Sequence, residues 1–147
     1  MENRRIMITG ANAGIGKNVA KQLALFNYTE KIYLACRNES KAAKAKKELE
    51  QQTGKSIFEI VIMDLNDLIS VRTAVSLLDI PIDALIMNAG GSGGKTPLTL
   101  TKYGVTTIFA TNVLGHVVLL EELLKAKKIK NVALFAGSEA ARGIPKM

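Results

Sequence analysis

The stretch Arg5-Ile6-Met7-Ile8-Thr9-Gly10-Ala11-Asn12-Ala13-Gly14-Ile15-Gly16 decides the fold. A short apolar run that stops at a glycine reads as a strand buried on both faces. After it, Ile15, Val19 and Leu23 recur at four-residue spacing, one face of a helix expected to end near Phe26-Asn27. Between them lies a loop of three glycines. Gly10 suits a tight turn out of the strand, and Gly14 lets the backbone approach a pyrophosphate. Gly16 allows close packing of the helix, whose N-terminus then faces the phosphate charge. The spacing is G-x-x-x-G-x-G and not G-x-G-x-x-G. Taken alone, such glycines could simply shape a strand-to-helix turn. Their place after a first strand and before an amphipathic helix favours a dinucleotide site.

Outward from this unit the same alternation repeats. Lys31 to Ala35 is a second strand. From Ser40 a Lys-, Ala- and Glu-rich helix carries Ala42, Ala45 and Leu49 on one stripe, and Gly54 closes it. Ile57 to Met63 is a third strand, and Leu65, Leu68, Val71 and Val75 mark a helix starting near Asn66-Asp67. Ile82 to Met87 is a fourth strand, followed by a glycine-rich loop from Gly90 to Pro97. A long helix is expected over Thr101 to Ala126, and a fifth strand over Asn131 to Ala136. Strands joined by helical crossovers form a parallel, doubly wound α/β sheet, a Rossmann fold of order 3-2-1-4-5. Residues 1–147 form one domain, with no linker or repeat.

The 147 residues are 48% hydrophobic and 22% charged, enough for a core without disulfides or metal. One cysteine, Cys36, and one histidine, His116, cannot build a metal site between them. Neither a signal peptide nor an uninterrupted apolar run of about 18 residues is seen, so the expectation is a cytoplasmic protein without a membrane span. The net charge is +7, concentrated at Lys41, Lys44, Lys46 and Lys47 and at Lys125, Lys127, Lys128 and Lys130. No aromatic residue is interleaved with these lysines as a base-stacking platform requires, which argues against a nucleic-acid partner. They read as solvated helix faces.

At this point the chain resembles the short-chain dehydrogenase/reductases, over its whole length and in the right order. Thr9 to Gly16 meets the family's T-G-x-x-x-G-x-G. Asp64-Leu65 matches its adenine-contacting Asp-Leu or Asp-Val pair after strand three, and Asn88-Ala89-Gly90 matches its N-N-A-G, with Met87 in place of the first Asn. Asn112 matches the helix-four asparagine, and Ser138 the strand-five serine. Ala35-Cys36-Arg37-Asn38, Thr101-Lys102-Tyr103-Gly104 and Asn112-Val113-Leu114-Gly115-His116 look like the retinol dehydrogenase and protochlorophyllide reductase branch.

The resemblance implies a nicotinamide cofactor held by Thr9, Gly10, Asn12, Ala13, Gly14, Ile15, Gly16, Asp64, Leu65, Asn88, Ala89 and Gly90. It also implies catalytic roles for Ser138, which would hold a carbonyl oxygen, and Asn112, which would bond a backbone carbonyl and a water in a proton path. Each match has a plainer reading beside it. Asp64 could cap the next helix, Asn88-Ala89-Gly90 could be an ordinary turn, His116 a satisfied packing residue and Cys36 a buried thiol. The cofactor is expected to be NADP. Strand two ends without a carboxylate before Glu39, whereas Arg37 offers a planar charged fork and Asn38 a neutral bond, with Lys17 at the start of the first helix as a further helper.

The family's Tyr-x-x-x-Lys acid/base pair has no match. Four residues after Tyr28, Tyr33 and Tyr103 stand Ile32, Arg37 and Thr107. The chain therefore reads as the N-terminal, cofactor-binding part of an oxidoreductase acting on a small alcohol or carbonyl, inactive by itself. The alternative is a non-catalytic dinucleotide-binding sensor or partner module. Strand five is expected at a sheet edge, with self-association into oligomers as the consequence.

Overall fold

The computed structural model describes residues 4–92 and 96–138. Residues 93–95 of the glycine-rich loop, and those that follow Ser138, lie outside the described residues. Five strands run β1 Arg4–Thr9, β2 Thr29–Cys36, β3 Phe58–Ile62, β4 Ile82–Met87 and β5 Ile129–Phe135. All pair in parallel, in the order β3-β2-β1-β4-β5. Crossovers α1 Gly14–Ala24, α2 Glu39–Thr53, α3 Leu68–Ser76 and α4 Thr107–Lys125 join them.

Alternation along β1 sorts its side chains to the two faces of the sheet. Ile6 and Ile8 join Ile32, Leu34, Ala20, Ala24 and Leu49 on the side of α1 and α2. Met7 joins Tyr33, Leu85, Val71, Leu119 and Leu123 on the side of α3 and α4. β1 is therefore buried between two apolar layers, as a central parallel strand must be.

The helix ends follow local chemistry. Asn38 caps α2 by accepting from the Lys41 amide, Asp67 caps α3 by accepting from the Ile69 amide, and Gly54 ends α2 at φ +68°. The expected extension of α1 to Phe26-Asn27 is cut back to Ala24, and Phe26 instead stacks on Tyr28 at 5.1 Å between ring centroids.

The larger correction is α4, which starts at Thr107 and not at Thr101. Residues 101–106 form a tight turn, with the Thr101 amide bonded to the Val105 carbonyl at 2.8 Å and Gly104 at φ +76°. The Tyr103 hydroxyl accepts from the Leu68 amide at 3.0 Å and reaches Asp67 Oδ1 at 3.2 Å, fixing this turn to the start of α3. Thr106 then caps the helix. Within α4, Ala110–Leu114 is a π segment, one extra residue per turn, centred on Asn112.

By length and composition α4 is long and apolar enough to cross a membrane. Counting only uninterrupted apolar runs does not single it out. Its inner side, with Val118, Leu119 and Leu123, is buried in the core below the sheet.

Candidate functional site

A cleft of about 730 Å³ opens where the C-terminal ends of β1, β2, β3 and β4 meet. This is the place at which open α/β sheets put their ligands. Its floor is held by Thr9. The Thr9 hydroxyl oxygen accepts from the backbone amides of Asn88 and Ala89, each at 2.9 Å, and the Asn88 side-chain amide donates to the Thr9 carbonyl at 3.1 Å. Asn88 and Ala89 are thus bolted to the end of β1.

Beyond Thr9 the chain turns at Gly10, whose amide donates to the Ala35 carbonyl at 2.9 Å. Gly14 adopts φ +53°, a conformation that side chains rarely take, and nothing lies within 4 Å of where its Cβ would stand. At Gly16 the opposite holds. A Cβ there would meet Asn88 Nδ2 at 2.5 Å and the Gly10 carbonyl oxygen at 2.6 Å. Helix α1 can approach the loop only because this residue has no side chain. Its N-cap, Ala13, supplies no side-chain bond, whereas α2, α3 and α4 are each capped by a side chain. The first amides of α1 are left for whatever enters the cleft.

One end of the cleft is electropositive. Arg37, Asn38 and Lys41 line it, and Asp64 is the single carboxylate among the lining residues. Asp64 does not cap α3. Its Oδ1 accepts from the Asn66 amide at 2.9 Å, its own amide donates to Ser70 Oγ at 3.0 Å, and Asp67 makes the cap. The Asn38 side-chain carbonyl oxygen is engaged with the Lys41 amide and the Ser40 hydroxyl, which leaves the side-chain amide nitrogen to face a ligand. Lys17 is not a helper here: it lies outside the lining and pairs with Glu48 of α2.

The other end is polar and uncharged, with Gly91, Ser92, Thr107, Thr111 and Asn112. Asn112 Oδ1 accepts from the Gly91 amide at 3.1 Å and its Nδ2 donates to the Gly91 carbonyl at 2.9 Å. Its side chain therefore clamps the loop after β4. Thr111 Oγ1 donates to Asn66 Oδ1 at 2.9 Å, closing α4 onto the loop after β3.

Thr9, Gly10, Asn12, Ala13, Ile15, Arg37, Asn38, Asp64, Leu65, Asn88, Ala89, Gly90 and Asn112 all line the cleft. Gly14 and Gly16 shape its loop from behind. Ser138 lies three residues past β5, exposed and outside the lining. Lys41, Asn66, Gly91, Thr107 and Thr111 are lining residues that the sequence reading missed. The recurrence of Thr107 and Thr111 one turn apart on a largely apolar helix was the available signal.

Two buried groups brace the cleft from beneath. The Cys36 thiol is held above its ordinary pKa by burial, partly offset by the Ala11 and Asn12 amides bonded to it. His116 is held below the ordinary histidine range by burial, with the Asn112 carbonyl acting weakly the other way. No group of three His, Cys, Asp or Glu among the described residues could hold a metal ion.

A doubly wound parallel sheet with its cleft at the strand-order reversal has the Rossmann-like architecture. The model of the short chain dehydrogenase family matches residues 4–144, and the chain belongs to that family. It is 36% identical over 121 residues to the WW domain-containing oxidoreductase of Homo sapiens, covering 80% of this chain and 28% of that protein. It is 35% identical over 126 residues to retinol dehydrogenase 12 of Mus musculus, covering 84% of this chain and 39% of that one. Among solved structures, a short chain dehydrogenase from Shigella flexneri 2a complexed with NADP superposes with a TM-score of 0.75 at 24% identity, covering 97% of this chain and 62% of that one. The citronellol catabolism dehydrogenase of Pseudomonas aeruginosa gives 0.77 at 23% identity, covering 100% and 61%. The chain thus spans about a third of the length of these curated relatives, 28% of one and 39% of the other.

Proposed function

We propose that these residues form the NADP-binding part of an oxidoreductase that interconverts a carbonyl and an alcohol. The observation that carries the choice of nucleotide is the pairing of Arg37 and Lys41 at one end of a cleft whose single lining carboxylate is Asp64. A guanidinium fork and an ammonium suit a ribose 2′-phosphate, which an acidic residue at the end of β2 would repel. The diphosphate would lie over the open amides of α1, in the space beside Gly14. Asp64 and Leu65 would face the adenine, and Asn88, Ala89 and Gly90 would run along the cofactor toward Asn112.

When bound, the nicotinamide supplies or takes the hydride. The residues here would orient it and exclude water from its buried edge. Ser138 would hold the carbonyl oxygen, and Asn112 would keep the loop after β4 in place through Gly91. Since no tyrosine has a lysine four residues later, the 147 residues by themselves have no positioned proton donor of that kind. That observation favours, for this chain alone, binding without turnover. General acid help is typically worth about 10²–10⁴-fold. Steady-state oxidation of NADPH with a panel of aldehydes is expected to stay at the heat-killed baseline.

Titration of NADPH and NADH against the wild type and Arg37→Asp tests the nucleotide. A charge-assisted contact is worth roughly 1.5–3 kcal/mol, or about one to two decades of affinity. The variant is expected to lose that much for NADPH and little for NADH. Equal wild-type affinities, or an unchanged variant, overturn the assignment.

A further inference from the structure

We propose that His116 is a positioning residue of the cleft: a neutral imidazole that accepts a hydrogen bond from the Thr9 hydroxyl at Nε2 and donates one from Nδ1–H to the Asn112 carbonyl. One buried ring thereby ties the cleft's floor to its far wall. Its effect on nucleotide binding rests on the reading of the cleft given above; its proton arrangement does not.

The proton count comes first. Thr9 Oγ1 lies 2.9 Å from the Asn88 amide, 2.9 Å from the Ala89 amide and 2.8 Å from His116 Nε2. A hydroxyl has one proton and two acceptor lone pairs, and backbone amides only donate. Both lone pairs are spent on the amides, so the hydroxyl proton must point at Nε2. A neutral imidazole carries one N–H, which then sits on Nδ1, 3.3 Å from the Asn112 carbonyl oxygen. A second proton at Nε2 would face an oxygen with no lone pair left to receive it.

The partners among the described residues offer no compensation. His116 is 1% exposed. Among the described residues, its hydrogen-bond and ring partners are Thr9 from β1, with Asn88 and Ala89 behind it, the edge-on ring of Phe135 from β5 at 5.7 Å, and Asn112 on its own helix. None of these is charged.

What makes the ring more than filler is where its partners stand. Thr9, Asn88, Ala89 and Asn112 all line the cleft, and Asn112 in turn clamps Gly91. Loss of the acceptor at Nε2 frees the Thr9 hydroxyl to rotate away from the Asn88 and Ala89 amides. Loss of the donor at Nδ1 releases the π segment that presents Asn112.

Since His116 is the single histidine of the chain, imidazole ¹⁵N resonances report it alone. At pH 7.5 a protonated Nδ1 with an unprotonated Nε2 is expected, persisting below the ordinary histidine midpoint of about 6.5. The opposite tautomer, a mixture, or an ordinary midpoint overturns the proposal. NADPH is then titrated against wild type, His116→Phe and His116→Gln, with thermal unfolding alongside. Phe keeps a ring without an acceptor and is expected to bind about ten-fold more weakly. Gln can offer an acceptor oxygen and is expected to recover most of that loss. Equal affinities in all three, with only the unfolding temperature changed, make the ring structural and refute the proposal. If the wild type binds neither NADPH nor NADH, the cleft reading fails, and the proposed influence on binding falls with it.

Discussion

Gly16 and His116 show how narrowly single residues set the cleft. A methyl at position 16 would stand 2.5 Å from Asn88 Nδ2 and 2.6 Å from the Gly10 carbonyl oxygen, and backbone cannot move aside cheaply. Gly16→Ala is therefore expected to cost about 1–3 kcal/mol, the range for overpacking, and to lower the melting temperature by several degrees. An unchanged melting curve would show that the loop gives way more easily than its contacts imply.

The pH dependence of stability follows from His116. Its folded-state pKa is depressed by burial. Below about pH 6.5 the unfolded chain therefore takes up a proton that the folded chain refuses. The contribution is fully present above pH 6.5 and is lost as the pH falls toward the depressed value. Urea midpoints at pH 7.5 and 5.0 are expected to drop for the wild type by more than for His116→Phe. Parallel drops would mean that the ring titrates normally.

At the scale of elements, α4 separates what the sequence declares from what it conceals. The end of α2 at Gly54 and the start of α3 at Asp67 were legible because each has one residue type whose chemistry does one job. The start of α4 was not, because Thr101 to Val105 continues a plausible helical pattern. What stops the helix is distant: the Tyr103 hydroxyl on the Leu68 amide, 35 residues away. The π segment leaves no mark in composition either, since an extra residue per turn changes spacing and not type.

Asn112 was legible as an oddity, a poor helix former in mid-helix. Its partner Gly91 was not. Asn112→Leu should keep or improve local helix formation while removing both bonds to Gly91. The expected outcome is unchanged helical circular dichroism with faster amide exchange at Gly91 and weaker NADPH binding. Loss of helix signal would mean instead that the bulge depends on those bonds.

For the molecule as a whole, the two sheet edges differ. α2 packs more extensively on β3 than α4 does on β5, and among the described residues β5 ends the sheet with Val132, Leu134 and Phe135 exposed. On the outer side of α4, Phe109, Val117 and Leu124 are exposed too. An apolar edge strand invites pairing with another chain. The 147-residue chain is expected to self-associate, and Leu134→Lys to shift it toward monomer in light scattering. A monomeric wild type at high concentration would contradict this. Strand order and the cleft's location were legible at this scale, since alternating β and α segments leave few topologies. Its walls were not, because Lys41, Asn66, Thr107 and Thr111 reach it from three different segments of the chain.

The bonds that hold Asn88 and Ala89 to Thr9 join residues 79 and 80 positions apart. Such long-range closures cost chain entropy before they return any contact energy, and they slow folding. The glycine loop is made before the segment that carries Asn88 and Ala89, and it waits for that segment before its floor exists. Strands β1 and β2 and their helices can pair meanwhile, but the cleft cannot form until β4 docks beside β1. A nucleotide that binds only the finished cleft would therefore act on the last step of assembly, shifting the balance toward the folded chain without hastening the early ones.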